Sequence, residues 1–173
     1  MNVLLTGRPG IGKTTLIKRL IEASSLSKGG FYTEEVREKG QRVGFSLITL
    51  DGKRSLLAHL KTKSPYRVGR YGVDIDSFET IGVESIRKAM VSKELIVIDE
   101  IGRMELFSRK FRDVVLQALK TGRVVATIKK RRGDFIDKIK SRKDVRVLEV
   151  NLENRETLSS KLTKIVIDLG NRP

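Results

Sequence analysis

A glycine-rich segment near the N-terminus has the residue types and the spacing of a phosphate-binding loop. Residues 7–15 read GRPGIGKTT and match the pattern G-x-x-x-x-G-K-[ST] in full. An apolar run, NVLLT, precedes the segment and a helical pattern follows it, which is the strand–loop–helix context that the motif requires. A glycine-rich turn with a chance lysine would not keep this register. The segment therefore predicts that a nucleotide is bound by Gly7, Arg8, Pro9, Gly10, Ile11, Gly12, Lys13, Thr14 and Thr15.

The chemistry of phosphate binding explains the residue types in this loop. Glycines bring bare main chain close to a ligand, and successive N–H groups at the start of a helix form a concave anion site. Lys13 is expected to bind the β- and γ-phosphates and to act in catalysis, and Thr15 to donate to the α-phosphate. The hydroxyl of Thr14 is expected to be a ligand of Mg²⁺.

A pair of acids closes a continuous apolar run in the middle of the chain. Residues 94–100 read ELIVIDE, which is typical of a strand buried on both faces whose C-terminal end lies on the ligand side of a parallel sheet. Asp99 is therefore predicted to hold Mg²⁺ through water, and Glu100 to polarise the attacking water as a general base. By itself such a pair would more often cap a helix or lie in a turn, but the phosphate loop favours the catalytic interpretation.

Glu100 also bears on the class of reaction. An acid beside the metal-binding aspartate favours water as the phosphoryl acceptor, so the sequence predicts hydrolysis of a nucleoside triphosphate. A nucleotide or nucleoside kinase, which needs a site for a second substrate, is the first alternative. A nucleic-acid-associated ATPase is the second, suggested by the formal net charge of +15. A solvated basic surface is the more ordinary explanation of that charge, so nucleic acid is a possible partner that the sequence does not favour.

Several basic residues follow predicted strands, where phosphoryl transfer would need positive charge. Arg103 comes shortly after Asp99 in IGRMEL and is predicted to be a catalytic or positioning cation, with a solvated side chain as the alternative. The run KKRR, residues 129–132, is interpreted as a phosphate-facing or solvated loop, because it has no interleaved aromatic residues to stack on bases. Asn154 and Arg155 are predicted to border the nucleobase, although Asn154 could also cap the closing helix.

Hydrophobic periodicity predicts the elements that position these residues. Short apolar runs predict parallel strands at residues 2–6, 94–100, 124–128 and 145–150. Helical spacing predicts helices between and after them, at residues 14–23, 77–90, 105–119, 134–141 and 156–169. The helix at 105–119 is expected to carry Phe107 on its apolar stripe.

A different pattern lies between residues 30 and 60, where three alternating runs are separated by glycine-containing turn signals such as Asp51-Gly52. This pattern predicts an antiparallel β-meander, whereas residues 61–75 look irregular. The fold class is therefore α/β: a three-layer P-loop NTPase fold with a mostly parallel sheet and the meander inserted in it. No domain boundary is evident, so residues 1–173 are predicted to form a single domain.

Composition narrows the class of protein further. The chain has no cysteine, so disulfides and thiolate metal sites are excluded. It has no apolar stretch near the ~20 residues that span a bilayer, and a strand is predicted almost at its start, so neither a membrane span nor a secretory signal is expected. These features predict a cytoplasmic protein. Charged residues make up 33% of the chain, which is compatible with the ion-pair networks of thermophile proteins.

Taken together, five stretches resemble one family: GRPGIGKTTLIKRL, GGFYTEEVREKGQRVGFSLITLDG, VGRYGVDIDSFE, VIDEIGRMEL and NRETL. They are similar to the P-loop nucleoside-triphosphatases first associated with thermophiles, whose human counterpart is called the cancer-related nucleoside-triphosphatase. The resemblance covers nearly the whole chain. It implies Mg²⁺-dependent hydrolysis of ATP, GTP and other nucleoside triphosphates to the diphosphate and phosphate, with low base selectivity, and a fold related to RecA-like and nucleotide-kinase-like proteins.

The resemblance also implies which residues act. Residues 7–15 match the family's phosphate loop, and Asp99 and Glu100 match its acid pair. Arg103 stands where many members have lysine, and the KKRRGDF loop departs from the family's histidine–arginine start. Neither the base preference nor the oligomeric state is predicted.

Overall fold

The computed structural model describes the main chain of residues 1–170 and the side chains of residues 1–166. Residues 171–173, the end of the predicted domain, lie outside the described residues. The strands are β1 Asn2–Thr6, β2 Lys28–Glu38, β3 Gln41–Thr49, β4 Arg54–His59, β5 Arg67–Val68, β6 Tyr71–Val73, β7 Leu95–Ile101, β8 Val124–Ile128 and β9 Val145–Glu149. The helices are α1 Lys13–Ala23, α2 Ile75–Ser77, α3 Glu84–Ser92, α4 Arg109–Lys120, α5 Asp134–Lys140 and α6 Arg155–Gly170. A π-helical segment spans Phe78–Val83 and a 3-10 turn spans Glu105–Phe107.

All of these strands belong to one sheet in the order β5-β6-β4-β3-β2-β7-β8-β1-β9. From β2 to β9 the neighbours pair in parallel, and from β2 to β5 they pair antiparallel. The α/β class and the inserted meander are therefore confirmed, with the antiparallel part as extensive as the parallel part. Strand β2 joins the two, because Lys28–Phe31 pair with β7 while the rest of the strand continues beside β3 alone.

The antiparallel part is larger than predicted because residues 61–75 are not wholly irregular. Strands β5 and β6 form a hairpin in that segment, with Val68 opposite Tyr71. Gly69 adopts a φ of +56° in the intervening turn, a conformation that glycine reaches without strain. The glycines that indicated a loop in the sequence thus serve a tight turn.

Apolar layers cover both faces of the parallel strands, which confirms the three-layer arrangement. Leu4, Ile96 and Ile98 pack with α3 and α4 on one face, whereas Val3 and Val97 pack with α1 and α6 on the other. This alternation explains why the strands read as continuous apolar runs in the sequence. Among the helices of residues 1–170, none has the length and apolar character needed to cross a bilayer.

The start of the helix predicted at 105–119 is wrong. Helix α4 begins at Arg109, because the Oγ of Ser108 accepts a hydrogen bond from the N–H of Phe111 at 3.0 Å and caps the helix there. Phe107 precedes this cap and is 38% exposed, so it does not belong to the buried stripe. It packs instead against Tyr66, with 5.4 Å between ring centroids.

Asn2 links neighbouring elements at the N-terminal end of the parallel strands, opposite the phosphate loop. It is fully buried; its Nδ2 donates to the carbonyls of Leu119 (2.8 Å) and Asp144 (3.1 Å), and its Oδ1 accepts from the N–H of Val124 at 3.1 Å. Asn2→Ala removes three hydrogen bonds, two of them buried, so we expect the free energy of unfolding to fall by about 2–4 kcal/mol.

Urea unfolding monitored by circular dichroism measures this effect. Gln41→Ala, at an exposed hairpin residue, is the control and should change the free energy of unfolding by less than about 0.5 kcal/mol. Equal stabilities of the Asn2 and Gln41 variants would contradict the assignment of Asn2 as a structural link.

Candidate active site

The glycine-rich segment forms the connection between β1 and α1, as predicted. Gly12 directly precedes the helix with a φ of +107°, a conformation that other residues adopt only under strain. Gly7 packs against the chain after β9, since a Cβ there would lie 2.6 Å from the carbonyl oxygen of Val150. Arg8, Pro9 and Gly10 are exposed. The loop thus presents main chain outward at the start of a helix, which is the arrangement that binds anions.

Lys13 lies inside this loop. It is only 9% exposed, and its Nζ donates to the carbonyls of Gly7 at 3.3 Å and Arg8 at 3.1 Å. The ammonium group is therefore held by main-chain carbonyls of the phosphate loop. The same loop is predicted to bind the phosphates together with Lys13. Thr15 is exposed on the first turn of α1. Its hydrogen bond to the α-phosphate stays a prediction.

Asp99 and Thr14 are in direct contact. The Oγ1 of Thr14 donates to Oδ2 of Asp99 at 2.8 Å, and the Oγ1 of Thr127, on β8, donates to Oδ1. Burial is the main effect on this carboxyl and raises its pKa, while the two hydroxyls, the N–H of Thr33 and the charge of Lys13 act in the opposite direction. A hydroxyl and a carboxylate are hard oxygen donors of the kind that Mg²⁺ prefers, so the residues present fit this ion.

Glu100 follows on the same strand and is half-buried. Burial and the charge of Asp99 raise its pKa, whereas the charges of Lys13 and Lys129 lower it. Within the part of the chain that the structure describes, no donor hydrogen-bonds to this carboxyl group. Its oxygens are thus free to accept a hydrogen bond from a water molecule, as a general base must.

A second buried acid, Glu105, was missed by the sequence analysis. It is 4% exposed, and burial together with the charges of Glu100 and Asp99 raises its pKa well above the ordinary value. It belongs to IGRMEL, in which the sequence predicts a functional role for Arg103 but not for Glu105. A glutamate between Met104 and Leu106, both packed against the core, is the signal that could have found it.

The basic residues divide in a way that the sequence did not predict. Arg103 is exposed, and across the described residues its side chain forms no ion pair or hydrogen bond. Lys129 follows β8, and its main-chain N–H donates to the carbonyl of Ile101 at 3.2 Å. Its charge lowers the pKa of Glu100. Lys140 holds this segment, because its Nζ donates to the carbonyls of Lys129 at 3.0 Å and Lys130 at 3.3 Å.

Two further residues of the basic run form ion pairs at the surface. Lys130 pairs with Glu149 at 2.5 Å, and Arg132 pairs with Asp137 at 3.2 Å. Lys129, the first residue of KKRR, is the member of the run whose charge lowers the pKa of Glu100.

The loop after β9 lies beside the phosphate loop, but the capping role considered for Asn154 is wrong. Its Oδ1 accepts from the N–H of Asn151 at 2.9 Å, and its Nδ2 donates to the carbonyl of Glu149 at 2.8 Å. The side chain therefore folds back on its own loop rather than onto the N–H groups of α6. Arg155 is exposed beside Glu156, at 3.7 Å. Contact of either residue with a nucleobase stays a prediction.

Comparison with known proteins places the chain in a family. A family profile described as NTPase matches residues 2–163. The chain belongs to this NTPase family. The matched range contains the phosphate loop, the acid pair and the loop after β9, so the family resemblance stated from the sequence is confirmed.

Individual relatives match over nearly their full length. The chain is 52% identical over 167 residues to the nucleoside-triphosphatase THEP1 of Thermotoga sp. (strain RQ2), covering 96% of this chain and 95% of that protein. It is 42% identical over 174 residues to the cancer-related nucleoside-triphosphatase of Homo sapiens, covering 91% and 92%. Its fold matches the crystal structure of THEP1 from the hyperthermophile Aquifex aeolicus with a TM-score of 0.88 and 36% identity, over 96% of this chain and 99% of that chain.

Proposed function

We propose that this NTPase hydrolyses nucleoside triphosphates to the diphosphate and phosphate with Mg²⁺ held by Thr14 and Asp99 and with Glu100 as the general base. Membership of the NTPase family and relatives named nucleoside-triphosphatases support the enzyme class. The observation that carries the residue assignment is the 2.8 Å contact between Thr14 and Asp99, which joins the phosphate loop to the acid pair.

The phosphate loop would bind the substrate largely through its main chain. N–H groups of Gly10, Gly12 and Lys13 face the phosphates at the start of α1. The Nζ of Lys13 already lies within the loop, on two carbonyls at 3.1–3.3 Å. Phosphate oxygens are charged acceptors and form shorter, stronger hydrogen bonds than carbonyls, so we expect Lys13 to exchange these partners for phosphate.

The environment of Asp99 suits a metal ligand. Mg²⁺, when bound, would neutralise charge on the phosphate oxygens during transfer. Thr127 donates to the carboxylate from β8, so the orientation of Asp99 does not depend on the ion alone. Preorganised ligands of this kind need no rearrangement when the substrate arrives.

Glu100 would take the proton of the attacking water. The water oxygen forms a bond to the γ-phosphorus, the bond to the bridging oxygen breaks, and one water proton moves to the Glu100 carboxylate. Lys129 is placed to offset the negative charge that develops near this acid, and Arg103 is exposed at the same end of β7. We expect low base selectivity, because main-chain and phosphate contacts would dominate binding in this site.

Phosphate release tests this proposal. We expect the purified chain to release phosphate from ATP, GTP, CTP and UTP without any acceptor, and to stop when EDTA removes Mg²⁺. Adding a nucleoside or nucleoside monophosphate should give no phosphorylated acceptor, and single- or double-stranded nucleic acid should not raise the rate. Phosphorylation of an acceptor without free phosphate would indicate a kinase, and strong stimulation by a polymer would indicate a nucleic-acid-dependent ATPase. A cytoplasmic location stays a prediction.

A further inference from the structure

We infer that Gly102 is a positioning residue for Glu100, and that the missing side chain at residue 102 supplies the space in which the Glu100 carboxylate lies. The inference rests on the role of Glu100 in the proposed function. It assigns a chemical reason to a residue of IGRMEL that neither its spacing nor its charge reveals.

The geometry of the contact is direct. A Cβ built on Gly102 would lie 2.3 Å from Oε1 of Glu100, 2.7 Å from its Cγ and 2.9 Å from its Cδ. All three distances are below the 3.0 Å that real Cβ contacts essentially always exceed. Rotation of the carboxylate alone would move Oε1 but leave the Cγ contact. The whole Glu100 side chain would therefore have to leave its position if residue 102 carried a methyl group.

Gly102 is required for space and not for main-chain conformation. Its φ lies outside the left-handed region, so an alanine could adopt the same backbone. Gly10 and Gly12 show the opposite case, with φ of +75° and +107° and no atom within 4 Å of a built Cβ. An alanine at residue 102 should thus act on Glu100 and leave the phosphate loop unchanged.

The surroundings leave Glu100 few other places. Gly102 is buried, and its N–H acts to lower the pKa of the buried Glu105 carboxyl. Asp99 precedes Glu100 on the strand, and its charge raises the pKa of Glu100. The charges of Asp99 and Glu100 in turn raise the pKa of Glu105. A displaced Glu100 side chain would therefore no longer hold its carboxylate in the position from which it is proposed to act on water.

The test compares Gly102→Ala, Glu100→Gln and the double variant in Mg²⁺-dependent ATP hydrolysis. We expect Gly102→Ala to lower kcat by about 100-fold, since misplacing a catalytic group by about 1 Å costs that much. The Kd for a non-hydrolysable ATP analogue should stay within about threefold, because the loop contacts are intact. The double variant should be no slower than Glu100→Gln alone, because both changes remove one function.

Gly133→Ala is the matched control. Gly133 lies in the loop after β8 with a φ of 161°, an extended conformation, and a Cβ there would come no closer than 3.8 Å, to the Nζ of Lys129. We expect this variant to keep its kcat.

Stability provides a second readout if Gly102→Ala unfolds easily. Glu100→Ala removes the clashing atoms, so adding it to Gly102→Ala should restore the urea midpoint, or soluble expression, to that of Glu100→Ala alone. Near-normal kcat in Gly102→Ala, a further multiplicative loss in the double variant with Glu100→Gln, or no recovery of stability would each overturn the inference. Near-normal kcat in Glu100→Gln would instead overturn the proposed function, so the two failures are distinguishable.

Discussion

Replacing Glu100 by glutamine is expected to lower kcat by about 10²–10⁴, the usual contribution of a general base. Glutamine keeps the size of the side chain and the space beside Gly102, but it cannot accept a proton from water. The Kd for nucleotide should change little, because the phosphate loop and the Thr14–Asp99 contact lie outside the substitution. Steady-state phosphate release and equilibrium binding of a non-hydrolysable ATP analogue measure the two quantities.

Glu22→Gln is the matched control for this change. Glu22 lies exposed near the end of α1, and within residues 1–166 its carboxylate has no ion-pair or hydrogen-bond partner. The control should keep full activity. A Glu100→Gln variant that also keeps its kcat would show that water is activated by another group or by the substrate itself.

The parts of the site that the sequence predicted are those whose geometry is local. The loop of residues 7–15 binds anions through consecutive main-chain groups, so its spacing alone encodes its shape. Asp99 and Glu100 were placed correctly at the end of a strand because parallel strands of an open sheet end on the ligand side. Both deductions need only the neighbouring residues and the order of elements.

The parts that the sequence left open depend on contacts between elements that are distant in sequence. Lys129 reaches the acid pair because β7 and β8 pair with Ile101 beside Ile128, and no pattern within either strand encodes that register. Arg103 was preferred in the sequence because it is close along the chain, yet its side chain is exposed. A catalytic or positioning role for Arg103 stays a prediction.

The stretch GFYTEEVRE is a marker of the family resemblance, and the structure gives roles to three of its residues. Gly30 lets β2 lie against β7, because a Cβ there would be 2.0 Å from the carbonyl oxygen of Val97. Phe31 packs edge-on against Phe78, with 5.8 Å between ring centroids, and anchors the strand in the core. The N–H of Thr33 acts to lower the pKa of the buried Asp99 carboxyl. The marker thus links the core directly to the acid pair.

The buried charge of Asp99 leads to a second prediction with two readouts of opposite sign. Asp99→Asn keeps the shape of the side chain and its contacts with the two threonines, but it removes the charge that would hold Mg²⁺. We expect kcat at fixed Mg²⁺ to fall by at least about 100-fold, since the ion supplies several kcal/mol of charge stabilisation. More Mg²⁺ should be needed for half-maximal activity.

Stability should move the other way in the absence of Mg²⁺ and nucleotide. Burial raises the pKa of Asp99 in the folded state above its unfolded value. Ionisation therefore favours the unfolded state once the pH rises above the unfolded pKa, and this destabilisation is present in full above the folded pKa. Asparagine removes the buried charge, so at neutral pH we expect the urea midpoint of Asp99→Asn to exceed that of the parent chain. Functional groups of this kind commonly persist at a cost in stability.

Asp113→Asn is the control, because Asp113 is exposed on α4 and, among the described side chains, has no ion-pair partner. It should change neither activity nor midpoint. An Asp99→Asn variant with lower stability would show that the hydroxyls of Thr14 and Thr127 and the N–H of Thr33 stabilise the carboxylate by more than its burial costs. Full activity at unchanged Mg²⁺ would remove Asp99 from the metal site, and the 2.8 Å contact with Thr14 would then be structural alone.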